Sequence, residues 1–165
     1  MLDDKTVEML EILEKNARIP IDTLAKMLNL SPEETEKKLA ELEEQNIILN
    51  YATVIDWSKA SSKENVTAVI DVKVTPKRGV GFDNVAERIY RFPEVTAVYL
   101  MSGTYDLSVH IEAQTMNEVA RFVSEKLSTI DSVISTTTHF LLKKYKHDGV
   151  IFESKREDKR IVVSP

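Results

Sequence analysis

The residues able to do chemistry in this chain fall into a few short clusters. Lys37 and Lys38 are the only cations in Pro32 to Glu44, a stretch that also holds six glutamates. Read as a helix, it sends Glu33, Lys37, Glu41 and Glu44 outward at steps of three and four. There the lysines could meet phosphate oxygens, and Glu41 could accept from a cytosine amino group. The plainer reading of the same face is a solvated one, held by Glu33–Lys37 and Lys37–Glu41 pairs. A second cluster, Ser102-Gly103-Thr104-Tyr105-Asp106, has the composition of a turn, with glycine supplying a positive φ and aspartate capping it. A third, Lys143-Lys144-Tyr145-Lys146-His147, is ordinarily a solvated strand end and could also touch phosphates. His110, His139 and His147 share no metal-like spacing, and the absence of cysteine removes thiolate catalysis and cysteine-ligated zinc. The acidic clusters lack a nucleophile partner, and Gly79-Val80-Gly81 is too short for a nucleotide fingerprint. No metal, cofactor or catalytic site is therefore expected.

These clusters need elements to position them. A chain of 165 residues suits one large domain or two small ones. Its formal charge is −5, and the imbalance is local: residues 1–50 hold six Lys and Arg against twelve Asp and Glu, residues 51–165 sixteen against fifteen. A nucleic-acid binder usually shows a basic face, so weak binding per head follows from the first half. The chain opens on polar Asp3-Asp4-Lys5 with no apolar signal segment, and no run approaches membrane-spanning length. A cytoplasmic protein with no membrane association is the expectation.

Leu2 to Lys15 places Val7, Leu10 and Leu13, with Met9 and Ile12 beside them, at helical spacing. Asn16 to Pro20 breaks that helix, and a second, Asp22 to Leu28, buries Leu24, Ala25 and Leu28. In the third, Ser31 is a natural N-cap, Pro32 takes the first helical position and Glu34 completes a capping box, while Thr35, Leu39 and Leu42 form the inward stripe. Three short helices joined by tight turns are how a DNA-reading helix is held off a small core. Ile47 to Ile55 reads as extended, a wing or an interdomain strand, and Ser58 to Asn65 as a linker. Beyond Val66 the order is strand (Val66–Val74), helix (Phe82–Arg91), strands (Val95–Met101 and Leu107–Ala113), helix (Met116–Leu127) and a long strand (Ser132–Lys143). That β-α-β-β-α-β order is the split unit of a ferredoxin-like sandwich. Its helix-free face is expected to carry Val69, Val98 and Leu100 among Ser108, His110 and Glu112, a mixture that suits a dimer interface. The fold class is thus α+β: a winged helix-turn-helix domain at 1–50, a linker strand and linker at 51–65, a ferredoxin-like domain at 66–152 and a charged tail at 153–165, with Val150-Ile151-Phe152 able to add a short strand.

This ordered set resembles the Lrp/AsnC (feast/famine) transcriptional regulators over roughly residues 2–143. Leu2-Asp3, Asn16-Ala17-Arg18-Ile19, Leu24-Ala25, Leu30-Ser31, Leu42-Glu43-Glu44 and Ile48 with Tyr51 fall where that family has them. Gly103 to Asp106 looks like its G-x-[FY]-D turn. The resemblance implies double-stranded DNA as a partner, homodimers assembling into rings, and amino-acid effectors bound between dimers. On that footing the DNA-contact candidates are Ser31, Thr35, Lys37 and Lys38. The effector candidates are Ser102, Gly103, Thr104, Tyr105 and Asp106, with amides near Gly103 for a carboxylate, Asp106 for an ammonium group and Tyr105 as a wall. Thr136 and Thr138, expected on the face opposite Val133, Thr137 and Leu141, join them. The chain departs from the family in its third helix, where Glu36, Lys37, Lys38 and Glu41 stand at positions usually rich in arginine, and at Asn46, where glycine is common. Asn46 can take the same left-handed cap conformation. An effector-sensing assembly with weak or no DNA binding of its own is the alternative. A further one rests on Lrp-like proteins that act as haem-pathway decarboxylases, a role needing a cluster of Arg or His that this sequence lacks.

Overall fold

Asp3 starts the first helix, α1 (Asp4–Lys15), by accepting the Thr6 N–H on its carboxylate at 2.8 Å. The computed structural model describes residues 2–60, 65–75 and 81–152. The chain divides into two units, Met1–Val54 and Ile55–Pro165. The expected tail at 153–165, residues 61–64 of the expected linker and Gly79-Val80 lie outside the described residues.

In the first unit α1 buries Thr6, Met9 and Leu13, while Val7, expected inside, is 43% exposed. The stripe runs through Thr6, Met9 and Leu13 at steps of three and four, which leaves Val7 one position off it. Helix α2 (Ile21–Leu28) buries Leu24, Ala25 and Leu28 as its spacing predicts, and ends on Asn29 in the left-handed region (φ 50°). Helix α3 (Pro32–Glu44) opens with the full capping box: Glu34 N–H donates to Ser31 Oγ at 3.1 Å, and Ser31 N–H donates to Glu34 Oε2 at 2.9 Å. It closes as anticipated through Asn46 (φ 54°), after which Ile47 and Ile48 N–H both return to the Leu42 carbonyl. Met9, Leu13, Leu24, Leu28 and Leu42 form the core. Residues 45–56 form no strand ladder among the described residues. Tyr51 instead folds back, its hydroxyl donating to Glu43 at 2.7 Å. Burial, and then the Glu43 carboxylate, push the phenol up to about 12.

The second unit begins with the short helix α4 (Trp57–Ala60), then runs β1 (Val66–Val74), α5 (Asp83–Tyr90), β2 (Val95–Leu100), β3 (Leu107–Ala113), α6 (Met116–Arg121) continuing as a π-helical segment (Phe122–Leu127), and β4 (Val133–Phe140). The sheet order is β2-β3-β1-β4 with every pairing antiparallel, the ferredoxin-like arrangement. Ala68, Ile70, Val72 and Val74 of β1 are buried under Val85 and Ile89 of α5 and Val119, Phe122 and Leu127 of α6. The expected Val119–Val123–Leu127 stripe faces the core, with Val119 and Leu127 buried and Val123 partly buried against them. The π winding brings Phe122 into the core as well, five residues from Leu127.

Two face assignments differ from expectation. Val98 pairs with Val109 and Leu100 with Leu107, so both lie on the helix side, while Ala97 and Tyr99 join His110 and Ser108 on the open face. The cause is a bulge between Val95 and Ala97, which resets the alternation and turns Val95 and Val98 inward together. Thr136 and Thr138 pair with Val72 and Ile70 and share their helix-side face with Val133, whereas Thr137 pairs with Asp71 on the open face. A second irregularity, at Lys73/Val74, brings Val133 onto that side. The chain ends its described course in a hairpin, β5 (Lys146–His147) with β6 (Val150–Ile151), turning on Asp148-Gly149 at φ 45° and 77°. The expected strand at Val150 is thus present, and the basic run leads into it.

One polar knot ties α3 to α1. Lys38 Nζ donates to Asp3 Oδ2 at 2.9 Å and to Thr6 Oγ1 at 3.1 Å. The Asp3 carboxyl is held at about 2, below its ordinary 3.8, first by the Lys38 hydrogen bond, then by the Thr6 N–H and hydroxyl. A carboxyl whose folded value is depressed stabilises the fold above its unfolded value and loses that contribution as pH falls through the folded value. Wild type should therefore melt above Asp3→Asn at pH 4 and higher, and the gap should close as pH falls from 3.8 toward 2. Thermal melts of both chains at pH 5, 4, 3 and 2 measure it.

Candidate functional sites

The capping box aims the first turn of α3, and with it Ser31, at the end of the helix that a helix-turn-helix inserts into the groove. Of the four expected contacts, the structure leaves two outward. Ser31 is partly exposed at the cap, and Lys37 is 79% exposed on its side chain, 3.9 Å from Glu41. The expected Glu33–Lys37 pair is not formed among the described residues, so the outer face is more open than a laced helix. Thr35 is fully buried and donates its hydroxyl to the Ser31 carbonyl at 2.9 Å. It is a core residue that satisfies its own polar group, and it cannot serve as a phosphate contact. Lys38 is likewise reassigned: held by Asp3 and Thr6, with 27% of its side chain exposed, it fastens helices together. Glu34 is held below the usual carboxylate range by the Ser31 N–H and hydroxyl, so the helix start keeps a negative charge. That suits the helix dipole and opposes phosphate.

In the second unit the turn Ser102–Asp106 joins β2 to β3 and is pinned on two sides. Asp106 Oδ2 accepts the Val74 N–H at 2.8 Å and lies 3.8 Å from Lys73 Nζ, which also donates to the Thr104 carbonyl at 2.9 Å. The Asp106 N–H donates to the Val72 carbonyl at 3.0 Å. On the other side, the Tyr105 and Thr137 hydroxyls lie 2.7 Å apart. Tyr105 therefore lies toward the open sheet face, the face opposite Thr136 and Thr138. Those two do not share a site with the turn, and Thr137, which periodicity alone had set aside, does. The N–H groups of Ser102, Gly103, Thr104 and Tyr105 donate to no described residue. Four backbone donors thus stand beside one partly used carboxylate, an arrangement able to bind an anion and a cation close together.

Elsewhere in the second unit several charged side chains pair with one another. At the other end of β3 a cleft of about 340 Å³ is lined by Glu94, Ile111, Glu112, Phe122 and Lys126 among others. Its centre is a Glu94–Lys126 ion pair that holds the Glu94 carboxyl below its usual range, and the ammonium lies 5.4 Å from the Phe92 ring centroid. On the open face His139 meets Asp71 at 3.1 Å, and His110 packs edge-on to Tyr99. Among the described residues no helix is long and apolar enough to cross a membrane, and no group of His, Asp or Glu could hold a metal ion.

Comparison with known proteins agrees with both units. The family model described as the Lrp/AsnC ligand binding domain matches residues 67–151, and one described as winged helix-turn-helix DNA-binding matches residues 2–48. A protein of Bacillus subtilis (strain 168), the uncharacterized HTH-type transcriptional regulator YugG, is 61% identical over 164 residues, covering 99% of each chain. The HTH-type transcriptional regulator LrpA of Pyrococcus horikoshii is 31% identical over 146 residues, 88% of this chain and 100% of that one. Two solved structures share the fold. A Neisseria meningitidis transcriptional regulator in complex with L-Met superposes with a TM-score of 0.71 at 24% identity, over 89% of this chain and 94% of that one. E. coli AsnC does so at 0.67 and 21%, over 89% and 96%. With its two units matched in this order, the chain belongs to the Lrp/AsnC family: it is a transcriptional regulator made of a helix-turn-helix DNA-binding domain and a ligand-binding domain.

Proposed function

We propose that an amino acid, or a small metabolite carrying the same ammonium and carboxylate groups, binds at the Ser102–Asp106 turn and alters assembly or DNA affinity. The observation that carries this reading is the set of backbone donors from Ser102 to Tyr105 that pair with no described residue, beside the Asp106 carboxylate. The ligand carboxylate takes the amides, and its ammonium takes the Asp106 oxygen that Val74 leaves free. The L-Met complex of the Neisseria relative supports the ligand class. A second copy of the chain completes the site, since the turn by itself is exposed at Ser102, Gly103 and Thr104. The copies pair across the open face, where Val69, Ala97 and Tyr99 lie among Ser108, His110 and Thr137. This reading includes no catalytic step.

DNA is held weakly by each head, through Ser31 and Lys37 at phosphates, and usefully by several heads on one oligomer. Linked heads gain effective concentration without any new contact.

Calorimetry with the twenty common amino acids is the direct test, comparing wild type with Asp106→Asn. Asparagine keeps an acceptor for the Val74 N–H and removes the charge. A charge-assisted hydrogen bond is worth about 1.5–3 kcal/mol, so the variant should bind roughly ten- to a hundred-fold more weakly with its melting temperature nearly unchanged. Equal binding would reduce Asp106 to a turn pin, and no binding by wild type would remove the amino-acid reading altogether. Light scattering should find a dimer or larger at micromolar concentration, and a monomer would sink the shared site.

A further inference from the structure

We infer that Lys5, on the first turn of α1, supplies the phosphate contact at the groove-entering end of α3 that Lys38 of α3 itself cannot supply. The inference rests on the DNA-binding reading and names the cation that makes it workable. Residues 1–50 are net acidic, so the position of each cation decides whether phosphate can approach at all. Lys38 points back into the Asp3–Thr6 knot. Lys37 leans toward Glu41, away from the N-terminal turn of its helix.

Lys5 reaches across 24 residues of sequence to donate to the Asn29 carbonyl at 3.2 Å. Asn29 is the left-handed residue that ends α2, two positions before the Ser31 cap. The ammonium therefore stands at the entry end of α3, near enough for its charge to act on Glu34, which the Ser31 N–H and hydroxyl chiefly hold ionised. A helix-turn-helix presents this end of its second helix to base edges and runs the flanking backbone along phosphates. The partner Lys5 has there is a neutral carbonyl, and an ammonium carries three hydrogens. A phosphate oxygen offers a charge-assisted bond, which is shorter and stronger than one to a carbonyl. Lys5 can thus keep Asn29 and take a phosphate, or exchange one for the other. The first turn of α3 itself carries Glu33 and Glu34 and no cation, so a positive charge at this end has to come from another helix.

The test uses the full chain and a 30-base-pair duplex from the DNA upstream of its own coding sequence, followed by fluorescence anisotropy over a series of salt concentrations. Lys5→Ala and Lys5→Gln are compared with wild type and with Lys5→Arg. Glutamine keeps a donor for the Asn29 carbonyl, so its folding serves as the control should alanine loosen the turn. Both neutral variants should bind several-fold more weakly at low salt, and the slope of log K against log salt should shrink by about 0.9 for each engaged head. Lys5→Arg should bind as wild type does. If wild type binds and Lys5→Gln matches its affinity and slope, the assignment of Lys5 is overturned while DNA binding stands. If wild type does not bind the duplex at any salt, the DNA reading fails and this inference goes with it.

Discussion

Strand β1 pairs on both of its edges, with β3 on one side and β4 on the other, and its inner residues are buried almost completely. That double constraint orders the second unit. A slip of one residue would move Ala68, Ile70, Val72 and Val74 out of the core together, so the register of β1 is strongly held. Every neighbouring residue then takes its face from its partner on β1 or β3. Thr137 lies opposite Asp71 and faces outward; Thr136 and Thr138 lie opposite Val72 and Ile70 and face the helices. The candidate effector turn inherits the same frame. Asp106 bonds main-chain groups of Val72 and Val74, and Tyr105 reaches the Thr137 hydroxyl. A turn anchored to the doubly paired strand of the sheet holds its amides in place before any ligand arrives, which lowers the entropy that binding must overcome.

The first unit solves a different problem, that of keeping a strongly acidic three-helix head folded and useful. Its carboxylates work locally. Asp3 caps α1 and binds Lys38, Glu34 closes the capping box, and Glu43 accepts from Tyr51. Negative charge at helix starts favours folding through the dipole even where it opposes phosphate. Stability and DNA affinity therefore pull the same residues in opposite directions. The multivalent reading follows from that tension, because an oligomer multiplies weak heads without changing their surfaces.

What could be read in the sequence was local. Ser31, Pro32 and Glu34 lie within one helical turn of one another, so their spacing alone specifies the cap, and Leu24, Ala25 and Leu28 lie on one short amphipathic face. The order of strands and helices was equally legible, since each period is carried by adjacent residues. Long-range partners were not. Nothing near Lys38 announces Asp3, 35 residues away, and only that contact decides whether the lysine meets solvent or the core. Spacing put Thr35 on the inward stripe, where it is buried; the resemblance offered its hydroxyl to DNA, yet that hydroxyl is satisfied by the carbonyl four residues back. The faces of Val98 and Leu100 hinged on a single extra residue at Val95/Ala97, a bulge that leaves no compositional mark. The Asp148-Gly149 pair did carry a hairpin signal, overshadowed by the basic run before it.

The π-helical half of α6 has a consequence for chain length. Phe122 and Leu127 both face the core, although five residues of ordinary α-helix would set them roughly 140° apart around the axis. The wider winding absorbs one surplus residue without disturbing either anchor. Removing an exposed position inside the segment, Ser124 or Glu125, would place the two anchors four apart, where a plain α-helix puts both on one side. This helix can therefore shorten by one residue and keep its contacts with the sheet.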